Sequence, residues 1–303
     1  MHIPVLLNES INALNLKKGD IVIDATTNRG GHSLELAKKI GKEGLLVCLD
    51  LDTEALDEAK SFLEKEIPKD IRPKIFYKNE NFRNILQILE NLKIKKIDGL
   101  VADLGVSSEE IDISGRGFTF QKDEPLLMTL KNKVMEDDLT AKRIVNTWEE
   151  ENLADIIYYY GDEKYARRIA KNICEKREEK EIKTTFELVE IIKSSLPEIA
   201  KRSKIHFATK TFQALRIAVN DELRAEEELI NSLPQILNSN KRASFITFHS
   251  GEDRVLKNRV KAFKLDLKLV KFENKKDFLE PEREEIKKNP RSRSAKLRVI
   301  EKI

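Results

Sequence analysis

Two aspartates, Asp50 and Asp103, and a pair of glycines are the residues of this chain whose types and spacing could do chemistry. Asp24 closes the apolar run Ile21-Val22-Ile23 and is followed by Ala25-Thr26-Thr27-Asn28-Arg29-Gly30-Gly31-His32-Ser33 before a helical pattern begins. In doubly wound sheets the ligand lies beyond the carboxyl ends of the strands, and a glycine turn after the first strand lets backbone approach it closely. Gly30 and Gly31 suit that role, although a plain turn would use the same residues. Asp50 ends the next apolar run, about twenty residues past the glycines, where an acidic side chain can accept hydrogen bonds from both hydroxyls of a ribose. Its other reading is a helix cap within Asp50-Leu51-Asp52-Thr53, a task that Asp52 or Thr53 could take instead. Asp103 closes a later run, Val101-Ala102-Asp103, ahead of Leu104-Gly105-Val106-Ser107-Ser108.

Neither G-x-G-x-x-G nor G-x-x-x-x-G-K-[ST] is present, which disfavours a dinucleotide or a nucleoside triphosphate. A nucleoside cofactor without a pyrophosphate fits that absence, and S-adenosylmethionine is the commonest such ligand on this architecture. Phe82, in Asn79-Glu80-Asn81-Phe82, is placed either to lie against an adenine ring or to open the next helix as a core residue. Asp103 is placed to hold the methionine amino group, to accept a proton from an incoming amine, or to be satisfied by the backbone that follows it.

These residues need a sheet to bring them together. Short β-like runs at Ile21–Asp24, Leu45–Asp50, Lys74–Tyr77 and Ile97–Asp103 alternate with helical stretches at Ser33–Ile40, Thr53–Glu66 and Phe82–Leu92, which predicts βαβ units and a parallel sheet. Residues 109–135 are irregular, and 137–202 show helical periodicity with almost no β-branched runs. A long helical pattern from Thr209 through Ala225 follows, then strands at Ala243–Phe248, Leu267–Val270 and Leu297–Ile300. The expectation is an α/β Rossmann-like sheet, residues 1–108 and 206–303, interrupted by an inserted all-helical domain, residues 109–205.

The 303 residues are 36% charged, but 56 basic against 53 acidic residues leave a net charge of only +3. Affinity for nucleic acid must therefore come from local patches. The candidates are Arg167-Arg168 with Lys171, Lys201-Arg202 with Lys204, and Lys287 to Arg298, which carries six basic residues and no acid. Two cysteines without ligand spacing and four unpaired histidines predict no disulfide framework and no metal. Met1 to Leu7 lacks the features of a signal peptide, and no apolar run approaches a membrane span, so the expectation is a soluble, cytoplasmic protein.

A series of motifs runs along nearly the whole chain: His2-Ile3-Pro4-Val5-Leu6-Leu7, Arg29-Gly30-Gly31-His32-Ser33, Asp103 to Ser108, and Arg116-Gly117-Phe118-Thr119-Phe120. It continues through Ala208 to Ile217, Val219-Asn220-Asp221-Glu222-Leu223, Phe248-His249-Ser250-Gly251-Glu252-Asp253-Arg254, and Asn289 to Arg298. In these motifs and their order the chain resembles the ribosomal small-subunit RNA cytosine-N4 methyltransferases, the RsmH or MraW family. The resemblance implies a class I methyltransferase domain interrupted by a helical domain, and methyl transfer from S-adenosylmethionine to the exocyclic N4 of a cytidine in the decoding region of small-subunit (16S) RNA. The cofactor would be held by Gly30, Gly31, His32, Asp50, Phe82, Asp103 and Glu110. The implied partner is the ribosomal RNA or the assembled small subunit, with no membrane; a homodimer is left open.

A cytosine amine is a poor nucleophile, so it must be positioned and its proton accepted; Asp103 or its loop is the candidate acceptor. Other base amino-methyltransferases carry Asn/Asp-Pro-Pro-Tyr here, and Asp103-Leu104-Gly105-Val106 keeps only the acid. A turned-out base needs stacking and edge hydrogen bonds. Arg116, Phe118 and Phe120 are candidates for that contact, as are Arg216 and Asn220, four apart on one helical face, and His249, Ser250, Asp253 and Arg254 after a strand. Each cluster could instead tie elements together. The chain also departs from the family pattern: Asn28 stands for a glycine, Glu109 and Glu110 for proline and glutamine, Phe207 for proline, Lys210 for arginine and Gly251 for leucine. Leu127 and Thr129 replace the aspartate and arginine of Pro-Leu-Asp-Met-Arg-Met. That last change raises the alternative of a non-catalytic RNA-binding relative acting in subunit assembly.

Overall fold

The computed structural model describes residues 4–106, 111–202 and 205–303. The first unit comprises Met1–Gly105 and Leu223–Ile303, and the second Val106–Glu222.

In the first unit, β1 (Ile21–Asp24), β2 (Leu45–Asp50), β3 (Lys74–Asn79), β4 (Ile97–Asp103), β5 (Leu237–Thr247), β6 (Leu267–Leu269) and β7 (Lys296–Lys302) form one sheet, ordered β3-β2-β1-β4-β5-β7-β6. The first five strands of that order are parallel, and β7 runs antiparallel to both β5 and β6. The central strands are continuous apolar runs because both sheet faces are covered: Val22, Ile23, Leu46, Val47, Leu100 and Val101 have no exposure. β3 lies at the edge, and its Lys-Ile-Phe-Tyr-Lys-Asn composition is only half-buried. Helix α1 (Leu7–Asn12) precedes β1, and α2 (Gly31–Ile40), α3 (Thr53–Glu66) and α4 (Ile85–Asn91) connect the first four strands. In α2 the buried positions Leu36, Ala37 and Ile40 fall on one face, the spacing that a sheet-covering helix requires.

The chain winds outward from β1 through β2 to β3, then returns to add β4 and β5 on the other side of β1. That reversal leaves a crevice at the carboxyl ends of β1 and β4, where ligands of open α/β sheets bind.

The second unit is built from α5 (Ala141–Thr147), α6 (Glu150–Tyr159), α7 (Ala166–Glu179), α8 (Thr185–Ser195), α9 (Glu198–Lys201) and α10 (Thr209–Asn220). Its core includes Met128, Ile144, Leu153, Ile169, Leu188 and Leu215. The Thr184 hydroxyl and the Glu187 carboxylate form a reciprocal capping box that starts α8.

Two boundaries differ from the sequence reading. The helix expected from Thr209 through Ala225 is two helices, because Asp221 adopts a left-handed conformation (φ 50°, ψ 41°) and ends α10 before α11 (Glu222–Ile236) begins. Periodicity runs through the break because aspartate visits that region without glycine's signature. The second unit therefore reaches Glu222 rather than 205: Ala208, Phe212, Ala214 and Leu215 of α10 are buried in its core. The second difference is that β5 begins at Leu237 rather than Ala243. Its register against β4 shifts between Ile97 and Gly99, and Asn240 has φ 61°, so a polar bulge interrupts the apolar pattern. After β5 come α12 (Ser250–Ala262) and α13 (Arg283–Lys288).

Candidate active site

The sheet order places Asp24, Asp50 and Asp103 at the carboxyl ends of three neighbouring strands, β2-β1-β4. Asp24 is in the middle and fully buried. The Ser33 hydroxyl donates to its Oδ2 at 2.5 Å and the Thr26 amide to its Oδ1 at 3.3 Å. Burial outweighs these bonds and pushes its carboxyl up to about 6. Asp50 accepts from the Asn28 amide at 2.7 Å and the Asp52 amide at 2.9 Å. Burial raises it, too, to about 6, with repulsion from Asp52 and Asp24 adding to the effect. Asp52, not Asp50, caps α3, accepting from the Ala55 amide at 3.0 Å.

Asp103 keeps 17% exposure, and its Oδ2 lies 4.0 Å from His32 Nδ1. Its Oδ1 is buried and has no hydrogen-bond partner among the described residues, which leave out 107–110 of the loop that follows. Burial, then repulsion from Asp24, Glu252 and Glu285, holds its carboxyl well above the usual range. A buried acceptor atom without a donor is a rare and costly feature in a folded protein, and it makes Asp103 the candidate of the three for contact with a bound group.

The glycine turn is explained by packing as well as by ligand access. Gly30 has φ 84°, and a Cβ there would sit 3.3 Å from the Ala59 side chain; one on Gly31 would lie 2.3 Å from Pro4 Cγ. Asn28 has φ 47°, so asparagine holds the backbone that glycine would otherwise take. His32 is buried in the first turn of α2. Phe82 opens a short 3₁₀ turn and is partly buried against the sheet's core. Glu110 lies outside the described residues.

The substrate candidates divide between the two units. In the second unit, Arg116 donates to the Leu130 and Lys131 carbonyls at 3.0 and 3.2 Å. Asn220 closes on the same loop, donating to the Met128 carbonyl at 2.8 Å and accepting from the Leu130 amide at 2.9 Å. Arg216 pairs with Glu222 through two bonds of 2.9 and 2.8 Å. Phe118 is a core residue, and Phe120 stacks on His206 with ring centroids 4.4 Å apart. In the first unit, His249 caps α12, accepting from the Gly251 and Glu252 amides, and Ser250 begins that helix. Asp253 bonds Arg298 at 2.5 Å and Lys257 at 3.1 Å. Arg254 follows on the same helix. Arg298 is thereby taken out of the basic run from Lys287, leaving Arg291 and Arg293 exposed in it.

The sequence model of the MraW methylase family matches residues 1–303. The chain belongs to the MraW methylase family. A relative from Finegoldia magna named "Ribosomal RNA small subunit methyltransferase H" is 42% identical, with 100% of this chain and 98% of the relative covered. A relative of the same name from Clostridium botulinum (strain Kyoto) is 43% identical, with 100% and 99% covered. Among solved structures, an rRNA methylase from Streptococcus thermophilus is similar at 10% identity and TM-score 0.45, with 97% of this chain and 93% of that one covered. Among the described residues, no helix is long and apolar enough to cross a membrane.

Leu127 and Thr129, read from the sequence as departures from the family pattern, lie in the loop that follows Pro125. Thr129 is buried and accepts from the Lys131 amide, and Leu127 is half-buried. The loop they occupy is held by Arg116 and Asn220. Sequence reasoning passed over Asp24 as a site residue, although its place at the end of β1 was visible. Glu252 was missed as well: it accepts from the Phe248 amide at 2.7 Å, and its charge bears on Asp103. Three residues past His249, at capping-box spacing, it could have been found.

Proposed function

We propose that this chain transfers a methyl group from S-adenosylmethionine to small-subunit ribosomal RNA, at the exocyclic N4 of a cytidine in the decoding region. The observation that carries the reading is the row of Asp24, Asp50 and Asp103 at adjacent strand ends, with Asp103 Oδ1 buried and unpartnered among the described residues. Three carboxylates disfavour a phosphate and favour a cation. A nucleoside bearing a sulfonium and an amino group fits that donor set, and the absent phosphate fingerprint agrees. The family and the names of its relatives support ribosomal RNA as the substrate.

Asp50 would accept the ribose hydroxyls with the lone pairs that the Asn28 and Asp52 amides leave over. The turn from Asn28 to Gly31 would set the nucleoside against β1, and Phe82 would border the base. When bound, the cofactor supplies an electrophilic methyl group on sulfur. Asp103 is the group we assign to the amine: it orients the N–H bond, and Oδ1 takes the proton released as nitrogen bonds to carbon. Its raised carboxyl makes it a more capable base than an exposed aspartate.

Incubation with labelled S-adenosylmethionine and small subunits lacking the modification, followed by mass-spectrometric mapping, tests this. Label on N4 of one decoding-region cytidine is expected, and label elsewhere would refute the site. Cofactor binding without any incorporation would favour the reading raised by Leu127 and Thr129, an RNA-binding relative without turnover.

A further inference from the structure

We infer that the carboxylates ending β1, β2 and β4 select by charge, holding the cationic methyl donor more tightly than the uncharged thioether product, with buried Asp24 as the positioning residue that sets the difference. This rests on the cofactor reading above. Asp24 is fully buried and bonded to Ser33 and Thr26, so it would act through its field rather than by touching the ligand. Charge in a poorly polarisable interior is felt at several ångströms. Asp24 raises the carboxyls of both Asp50 and Asp103, so its field spans the row.

The groups facing the row come from five elements: His32 and Ser33 of α2, Cys48 of β2, Asp52 at the start of α3, Glu252 of α12 and Glu285 of α13. Among the described residues no lysine or arginine pairs with Asp24, Asp50 or Asp103; His32 is the neighbour able to carry positive charge. The row is thus a net anion awaiting a cation. Methyl transfer forms an N–C bond and breaks the S–C bond, whose electron pair stays on sulfur while the amine's proton passes to Asp103. The ligand falls from one net positive charge to none as Asp103 takes up the proton, and once that proton passes to water the row is again an anion, now without a counter-ion in the product. Asp24 and Asp50 in the free protein are raised to about 6, so protonation below that pH switches the preference off.

The test is calorimetric, on the full chain without RNA: dissociation constants for S-adenosylmethionine, S-adenosylhomocysteine and sinefungin, whose amine replaces the sulfonium charge, between pH 5 and 7. In that window the ligands' amino and carboxyl groups titrate little. The preference for S-adenosylmethionine over S-adenosylhomocysteine should rise about 3–10-fold from pH 5 to 7, with sinefungin following the donor. Asp24→Asn should flatten the rise. A preference that is flat in the unmutated chain, or a rise that Asp24→Asn retains in full, would overturn the inference. Should Asp24→Asn not fold, Ser33→Ala must move the midpoint of the rise to higher pH by removing a hydrogen bond to ionised Asp24; an unmoved midpoint counts against it. If none of the three ligands binds the unmutated chain, the cofactor reading itself fails, and this inference with it.

Discussion

Asp253 has the sequence context of a substrate contact and the surroundings of a structural anchor. Its carboxylate is held between Arg298 at 2.5 Å and Lys257 at 3.1 Å, and these bonds keep it below the usual carboxylate range despite burial. Arg298 is 4% exposed and also reaches Asp277 at 2.7 Å. Replacing it by methionine leaves the buried carboxylate only the half-exposed Lys257, so Arg298→Met should cost about 1.5–3 kcal/mol in urea denaturation; a cost under about 0.5 kcal/mol would show that Lys257 and water replace the arginine. The opposite environment surrounds Asp103. Its neighbours are acids and a histidine, and its Oδ1 is unpartnered among the described residues. Asp103→Asn keeps the shape and removes the base, so kcat should fall about 10²–10⁴-fold. A variant with near-normal kcat would mean that another group takes the proton. The three strand-end acids were legible because a strand's end can be read from where its apolar run stops. Which acids face a ligand and which are satisfied by protein was not, because Arg298 lies 45 residues beyond Asp253 and no local pattern links them.

At the scale of elements, the strands were legible wherever sheet burial produced unbroken apolar runs, and illegible where the backbone deviates through polar residues. Asn240 in β5 and Asp221 after α10 both have positive φ, and neither position carries the glycine that would have announced it. Asp221→Gly should therefore stabilise the chain by about 0.5–1 kcal/mol, because glycine relieves left-handed strain more than it adds unfolded-state entropy; destabilisation would show that the Asp221 side chain contributes more than the strain costs. The loop carrying Leu127 and Thr129 was visible as irregular, but its two clamps were not. Asn220 makes hydrogen bonds to both Met128 and Leu130, so Asn220→Ala should leave that backbone unsatisfied and cost about 1–3 kcal/mol. Hydrogen exchange at the Leu130 amide should quicken in the variant, and unchanged exchange would show that Arg116 alone holds the loop.

For the whole molecule, the buried acids at the strand ends act against folding, a cost that the proposed cofactor site would offset on binding. A carboxyl raised by burial is protonated in the folded chain at pH values where the unfolded chain has already lost its proton. The folded state then binds more protons, and stability falls as pH rises. For Asp24 the window runs from its ordinary 3.8 to about 6, and the linked loss is at most about 3 kcal/mol. Asp50 follows in the same window, whereas Asp98, Asp253 and Glu301 are lowered, and their contribution is lost as pH falls through the lowered values. The unmutated chain alone would therefore give a blurred profile, and the difference from Asp24→Asn isolates the one group. Without ligand, Asp24→Asn should be more stable than the unmutated chain at pH 7 and lose that advantage by pH 4, measured by urea denaturation at each pH. Saturating S-adenosylmethionine should reverse the order at pH 7, since a cation bound only by the folded state stabilises in proportion to its affinity. An advantage for Asp24→Asn that persists at pH 4 would trace the effect to packing rather than charge.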